Sequence, residues 1–114
     1  MSGMTILCVE DQFACMATLT CMLEGIGYDV MPARSEQQAI DLLANQKIDG
    51  VLVEYNLPGA TGTELRAQLK AMRPDIPVLL FEGVGSQTPV MLRFFDAYLR
   101  NVELEREESA DLDL

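Results

Sequence analysis

The sequence contains no histidine, so no imidazole is available as a general base, a proton relay or a metal ligand. Its three cysteines, Cys8, Cys15 and Cys21, have no metal-ligand spacing and leave one thiol over in any pairing, so we expect them to be reduced. No apolar run approaches the roughly 20 residues of a membrane-spanning helix, and no signal peptide precedes the first apolar run. These absences predict a cytoplasmic protein that makes no membrane contact.

Basic residues are also scarce: 8 Lys and Arg oppose 18 Asp and Glu, which gives a net charge of −10. Such a charge argues against direct binding of nucleic acid, because phosphate backbones need a basic surface. Half of the net charge lies in residues 103–114, which contain six acids and one arginine. We therefore expect a globular domain over 1–102, followed by an acidic tail or a short fifth helix over 103–114.

Short apolar runs alternate with stretches of helical length. Strands are predicted at 5–9, 28–31, 51–53, 78–81 and 97–100, with helices between them from 12 to 24, from Ser35, from Thr61 to Pro74 and from Thr88 to about Phe95. Ser35 with Gln38, and Thr61 with Glu64, have the spacing of capping boxes. The alternation predicts an α/β fold in which helices cover both faces of a doubly wound, five-stranded parallel sheet.

Acidic and amide residues follow these strands, where doubly wound folds bind their ligands. They are Glu10 and Asp11 after the first strand, Glu54 after the third, Glu82 after the fourth and Asn101 after the fifth. Helix capping is the plain structural alternative for Glu10 or Asp11. It accounts poorly for Glu54 and Glu82, which precede loops. We therefore predict an acidic pocket formed by Glu10, Asp11, Glu54 and Glu82.

Five segments, in this order, resemble the receiver domain of bacterial two-component response regulators. They are 6–11, 49–54, 56–62, 77–81 and 96–99, and the resemblance runs from Ile6 to about Val102. It implies a flavodoxin-like (βα)5 fold, here with trimmed fourth and fifth helices, and a role in phosphorelay signal transduction. It also implies a protein partner, namely a histidine kinase, a phosphotransfer protein or an effector.

Receivers bind Mg²⁺ with an acid pair and a phosphoacceptor aspartate, and they bind the phosphoryl group with a Ser/Thr and a Lys. The acid pair matches Glu10 and Asp11, but the phosphoacceptor position holds Glu54. The Ser/Thr position holds Glu82 and the Lys position holds Asn101. The resemblance therefore implies a degenerate receiver, with three of five functional positions changed.

These changes oppose phosphorylation. The oxygens of glutamate lie about 1.5 Å beyond those of aspartate, and a displacement near 1 Å can cost about 10²-fold in rate. Loss of the lysine removes a stabilising cation, and Glu82 adds a negative charge. We predict a non-enzymatic signalling protein in which Glu54 either partly imitates a phosphorylated aspartate or belongs to a silent pocket. The alternatives are a metal-dependent receiver that is still phosphorylated on a carboxylate, and a carboxylate-based hydrolase.

Two further expectations concern the pocket. Clustered carboxylates raise one another's pKa unless a cation intervenes. Either Asp11, Glu54 and the carbonyl of Asn56 bind Mg²⁺ or Ca²⁺ weakly, or no cofactor binds and one carboxyl stays protonated. Tyr98 matches the aromatic switch position of receivers, where it either hydrogen-bonds Glu82 or simply packs at a strand edge.

The first predicted helix has no charged residue between Gln12 and Leu23, whereas a surface helix normally carries charge on its outer face. Beside a weak fifth helix, this composition indicates an apolar surface for a protein partner or for a homodimer. The alternative is that Gln12, Thr18 and Thr20 solvate the face adequately.

Overall fold

Strands and helices alternate along the chain in a computed structural model that describes residues 3–59 and 61–112. The strands are β1 (Thr5–Val9), β2 (Asp29–Ala33), β3 (Gly50–Glu54) and β4 (Val78–Phe81); the helices are α1 (Phe13–Ile26), α2 (Glu36–Asn45), α3 (Gly62–Met72) and α4 (Thr88–Leu112). All strand pairs are parallel, in the order β2-β1-β3-β4. The predicted doubly wound parallel α/β fold is confirmed. None of the helices in the described ranges is both long and apolar enough to cross a bilayer.

The sheet separates two hydrophobic cores. Successive side chains of a strand point to opposite faces, so Ile6 and Cys8 of β1 pack toward α1 and α4, while Leu7 and Val9 pack toward α2 and α3. Burial raises the pKa of the Cys8 thiol to about 12. This cysteine is therefore a packing residue and not a nucleophile.

Local signals set the helix ends. The hydroxyl oxygens of Ser35 and Thr61 accept hydrogen bonds from the backbone N–H of Gln38 (3.1 Å) and Glu64 (3.2 Å), so both residues are helix N-caps. Helix α1 ends at Gly27, whose φ of 112° is the left-handed conformation that glycine adopts most readily.

The predicted fifth strand at 97–100 is wrong, because these residues lie within α4. Leu92, Phe95 and Leu99 are buried at spacings of three and four residues, which is the pattern of a helix packing one face onto a sheet. A short apolar run alone does not distinguish a strand from a helix. The predicted trimmed fourth and fifth helices are wrong for the same reason, since α4 is a single helix of 25 residues.

Helix α4 runs antiparallel to the strands. It begins after β4, at the carboxyl edge of the sheet. Phe95 and Leu99, further along α4, lie at the opposite edge, because a β-carbon placed on Gly50 at the start of β3 would be 3.0 Å from both side chains. Beyond Leu99, residues 103–105 and 107 are exposed. The expected boundary between 102 and 103 thus falls inside α4, and the acidic segment is the distal part of that helix as far as Leu112. Residues 113 and 114 lie outside the described residues.

A polar contact fastens α4 to the start of β2. The Tyr28 hydroxyl donates to the Asp96 carboxylate, which also pairs with Arg100 at 3.2 Å. Burial and this carboxylate raise the pKa of Tyr28, so the hydroxyl remains a donor at neutral pH. This contact lies beside Met4 and β2, at the edge of the sheet opposite the carboxyl ends of the strands.

We expect Leu99→Ala to lower the free energy of unfolding by about 2–5 kcal/mol, because it opens a cavity between α4 and the sheet. Leu104→Ala is the matched control on the same helix, since Leu104 is 54% exposed, and it should change stability by less than about 0.5 kcal/mol. Urea denaturation followed by circular dichroism measures both. Equal losses in the two variants would contradict this placement of α4.

Candidate functional site

The ends of the two central strands bring two carboxyl groups together. Glu10 follows β1 and Glu54 ends β3, and they are only 2% and 4% exposed. The charges of Glu54 and Asp11 both act on Glu10, while Asp11 itself is half-buried. Glu82, after β4, is exposed. Of the predicted acidic pocket, the structure therefore buries Glu10 and Glu54, with Asp11 half-buried beside Glu10 and Glu82 in solvent.

Both carboxylate oxygens of Glu54 accept backbone hydrogen bonds. Oε1 accepts from the N–H of Asn56 at 3.2 Å, and Oε2 accepts from the N–H of Gly83 at 2.9 Å. A buried carboxylate is tolerated when such donors replace the water that it has lost. Because Gly83 lies 29 residues further along the chain, the side chain of Glu54 ties the end of β3 to the loop that precedes α4.

A close backbone approach holds the end of β3 in place. The N–H of Gly62, the first residue of α3, donates to the carbonyl of Tyr55 at 2.9 Å. A β-carbon on Gly62 would lie 2.3 Å from the backbone oxygen of Glu54. Only glycine fits this approach, so Gly62 helps to determine where the Glu54 side chain starts.

Glu10 is less well satisfied than Glu54. Its Oε2 is buried and has no hydrogen-bond partner within the described ranges. Burial raises the pKa of Glu10, and the charge of Glu54 raises it further, whereas hydrogen bonds from the Cys15 thiol and the Gln12 N–H oppose the shift. The charged form of Glu10 is therefore less favourable here than in water, and protonation of one carboxyl stays a prediction.

The Cys15 thiol lies against this carboxyl at the start of α1. Burial raises its pKa, and the neighbouring charge of Glu10 raises it further. Cys15 is therefore a thiol and a hydrogen-bond donor at neutral pH, without the thiolate character that a reactive cysteine needs.

The other expectation from the sequence, a weak Mg²⁺ or Ca²⁺ site at Asp11, Glu54 and the Asn56 carbonyl, stays a prediction. In residues 3–59 and 61–112, no three acidic or cysteine side chains are grouped so that they could hold a metal ion. Both oxygens of Glu54 already accept backbone N–H bonds, which stabilise the carboxylate without a cation. Backbone donors stabilise the Glu54 carboxylate, while burial disfavours the charged form of Glu10.

Two residues expected at the pocket lie elsewhere. Asn101, predicted to occupy the lysine position, is exposed on α4. It lies two residues beyond Leu99, which is close to Gly50 at the start of β3, whereas Glu54 is at the other end of that strand. Tyr98, predicted as the switch aromatic, is 56% exposed on the same helix and lines a groove with α3. Both expectations are wrong in placement, because they assumed a fifth strand that would carry these residues to the carboxyl edge.

Sequence reasoning missed the partners of the two buried carboxyls. The donors to Glu54 are the backbone N–H groups of Asn56 and Gly83, which no side-chain type predicts. The only signal was the glycine at position 83, because it adopts a positive φ of 67° that favours glycine. The only sequence signal for the contact of Cys15 with Glu10 is that Cys15 lies in the first turn of the helix that follows the strand end.

Comparison with known proteins identifies relatives for most of the chain. A family profile described as the response regulator receiver domain matches residues 6–101. The chain is 34% identical over 89 residues to the phosphate regulon transcriptional regulatory protein PhoB of Pseudomonas aeruginosa. The aligned region covers 76% of this chain and 39% of PhoB. It is 33% identical over 81 residues to the transcriptional regulatory protein ZraR of Escherichia coli, covering 71% of this chain and 18% of that protein.

Solved structures share the fold. A CheY-like receiver domain protein from Methanospirillum hungatei superposes with a TM-score of 0.79 at 22% identity, over 91% of this chain and 99% of that one. A signal receiver domain from an HD domain-containing protein of Pseudomonas fluorescens gives 0.78 at 23% identity, over 94% of each chain. At these identities the likeness concerns the fold alone.

We expect Glu10→Gln to stabilise the protein at neutral pH and to have little effect near pH 4. Because burial raises the pKa of Glu10, the folded protein binds a proton at this carboxyl more readily than the unfolded chain does. The stability that this difference contributes is complete below the ordinary pKa of about 4.3, and it is lost as the pH rises through the pKa of the folded state. Relief of the buried charge at pH 7 should raise stability by about 1 kcal/mol or more, which is about 4 °C or more in Tm.

Thermal unfolding of both proteins from pH 4 to 8 measures this difference. Glu24→Gln, at an exposed position on α1, controls for the loss of one negative charge from an acidic chain. A Glu10→Gln variant that is less stable than the native protein at pH 7 would show that the ionised carboxylate is favoured in the pocket.

Proposed function

The chain belongs to the response regulator receiver domain family, and on that premise we propose that it acts in two-component signalling without phosphorylation at Glu54. The observation that carries the proposal is the pair of backbone hydrogen bonds to the Glu54 carboxylate. The chain spans 39% or less of the length of the PhoB and ZraR proteins that it matches. The proposal therefore concerns the receiver domain only.

The geometry opposes phosphoryl transfer in three ways. The nucleophile must present an oxygen in line with the donor, but each Glu54 oxygen already accepts a backbone N–H. The transferred group needs positive charge around it, but no ion pair to Glu54 exists in the part of the chain that the structure describes. Glu10, the neighbour that would help to hold a metal, has a raised pKa. Each of these conditions supports the absence of phosphorylation.

We assign Glu54 a structural role in signalling in place of a chemical one. Its carboxylate reaches the N–H of Gly83 in the loop between β4 and α4, so a negative charge on the third strand fixes that loop. A phosphoryl group would bring about −1.5 to −2 charge and three acceptor oxygens, of which Glu54 supplies a part. The domain would then occupy one signalling conformation constitutively and would bind its partner without a phosphorylation step.

The partner surface that we propose is the outer side of α1. Phe13 is 77% exposed at its start, Cys21 is exposed in its last turns, and no charge lies between Gln12 and Leu23. Thr18 offers little solvation, because its hydroxyl donates to the Ala14 carbonyl within the helix. A histidine kinase, a phosphotransfer protein, an effector or a second copy would bury this face in the cytoplasm, with no catalysis by the chain itself.

Incubation with a small phosphodonor and Mg²⁺ should leave the intact mass of the protein unchanged, because Glu54 is engaged by backbone donors and lacks a counter-ion. A receiver that has an aspartate acceptor and the family's lysine serves as the positive control in the same buffer. A gain of one phosphoryl group by the native chain that disappears in Glu54→Gln would contradict the proposal.

A charge on the outer side of α1 should weaken association without affecting folding. Cys21→Glu is suitable because Cys21 is exposed, whereas Thr20 is partly buried. Gln37→Glu, exposed on α2, introduces the same charge on the other face of the sheet and should have no effect. Sedimentation velocity over a concentration series measures self-association. A native chain that stays monomeric at every concentration would show that α1 does not bind a second copy of the chain.

A further inference from the structure

The outer edge of β4 is open. In the described ranges β4 pairs only with β3, because the residues that were expected to form a fifth strand belong to α4. The carbonyls of Pro77 and Phe81 accept from the β3 side, at 3.0 and 2.8 Å. Since backbone groups alternate in direction along a strand, those of Val78 and Leu80 face away from the sheet.

A groove of about 460 Å³ follows this edge. Arg66 and Lys70 of α3 line it from one face of the sheet, and Phe94, Phe95 and Tyr98 of α4 line it from the other. Phe94 is 73% exposed and Tyr98 is 56% exposed. The groove therefore has a cationic wall, an aromatic wall and a strand edge between them.

The two cations already act on the open edge. Arg66 Nε donates to the Val78 carbonyl at 2.8 Å, and Lys70 Nζ donates to the Ile76 carbonyl at 2.7 Å. They supply donors where a neighbouring strand would otherwise do so, a common way of protecting an edge. The outward N–H and C=O of Leu80 have no such cover in the part of the chain that the structure describes.

We propose that this groove binds an extended peptide segment of a partner protein, which adds to β4 as a fifth strand and carries acidic and apolar side chains in alternation. Successive side chains of a strand point to opposite faces. In this groove one set would meet Arg66 and Lys70, and the other would meet Phe94 and Tyr98. Strand addition of this kind takes affinity from main-chain hydrogen bonds and specificity from alternate side chains.

Size and charge both favour such a segment. The four residues of β4 span about 13 Å, so a strand of four or five residues fills the edge. An incoming N–H would take over the Val78 carbonyl and release the Arg66 guanidinium to a carboxylate of the peptide. A carboxylate–guanidinium contact is the stronger of these two hydrogen bonds, because both partners are charged.

Pairing with the β4 edge of a second copy is disfavoured by the same charges. It would place Arg66 and Lys70 of both copies along one shared edge, where their like charges repel. The proposal also goes beyond the function proposed above, since it does not depend on whether Glu54 is phosphorylated or on what binds to α1.

The test uses the full chain and two short synthetic probes, acetyl-Val-Asp-Val-Asp-Val-amide and its counterpart with lysine in place of aspartate. Fluorescence anisotropy of labelled peptides should show that the acidic probe binds about tenfold or more tightly than the basic one, although the chain as a whole is acidic. Amide exchange measured by NMR should slow at Leu80 when the acidic probe is added.

Two matched variants locate the site. Phe94→Ser should weaken binding of the acidic probe by about tenfold or more, whereas Leu104→Ser, at a leucine that is 54% exposed further along α4, should leave it unchanged. Both positions are exposed, so neither variant should unfold the protein. Equal affinity for the two probes, unchanged exchange at Leu80, or equal effects of the two variants would overturn the proposal and leave Arg66 and Lys70 as edge protection only.

Discussion

The hydrogen bond between the Glu54 carboxylate and the backbone N–H of Gly83 connects the end of the central strand to the loop that precedes α4. Glu54 stands at the end of the central strand β3, and Gly83 lies in the loop that leads into α4. The backbone approach of Gly62 to Glu54 positions the strand end. The β4–α4 loop is thereby held by a protein carboxylate.

This bond also decides how the pocket tolerates its charge. Two buried carboxyls side by side are costly without a cation. The backbone donors of Asn56 and Gly83 satisfy one of them, and the other, Glu10, has its pKa raised by burial and by Glu54. Two backbone amides therefore stabilise the charge of Glu54, while the charged form of Glu10 is disfavoured.

The sequence predicted the parts of the fold that local patterns control. Strands β1, β3 and β4 were continuous apolar runs, and Ser35 and Thr61 were caps with their partners at the right spacing. Residues 97–100 were misassigned because a short apolar run is compatible with a strand and a helix. The stripe of Leu92, Phe95 and Leu99, which packs on the sheet, decided in favour of the helix. The misplacement of Asn101 and Tyr98 followed from that single error.

The acidic pocket was predictable in part. Strand ends collect at one edge of a parallel sheet, so Glu10 and Glu54 could be brought together from their positions alone. Their hydrogen-bond partners could not be, because a backbone N–H at a loop such as Gly83 depends on tertiary structure. The open edge of β4 has the same origin, since it appears only when the chain uses its last segment as one long helix.

The most direct test of the role of Glu54 is amide hydrogen exchange at Gly83, measured by NMR in the native chain and in Glu54→Leu. Gly83 is exposed, so its amide should exchange rapidly unless a hydrogen bond protects it. We expect slow exchange in the native chain without any phosphodonor or metal, and fast exchange in the variant. Rapid exchange at Gly83 in the native chain would contradict the proposed role.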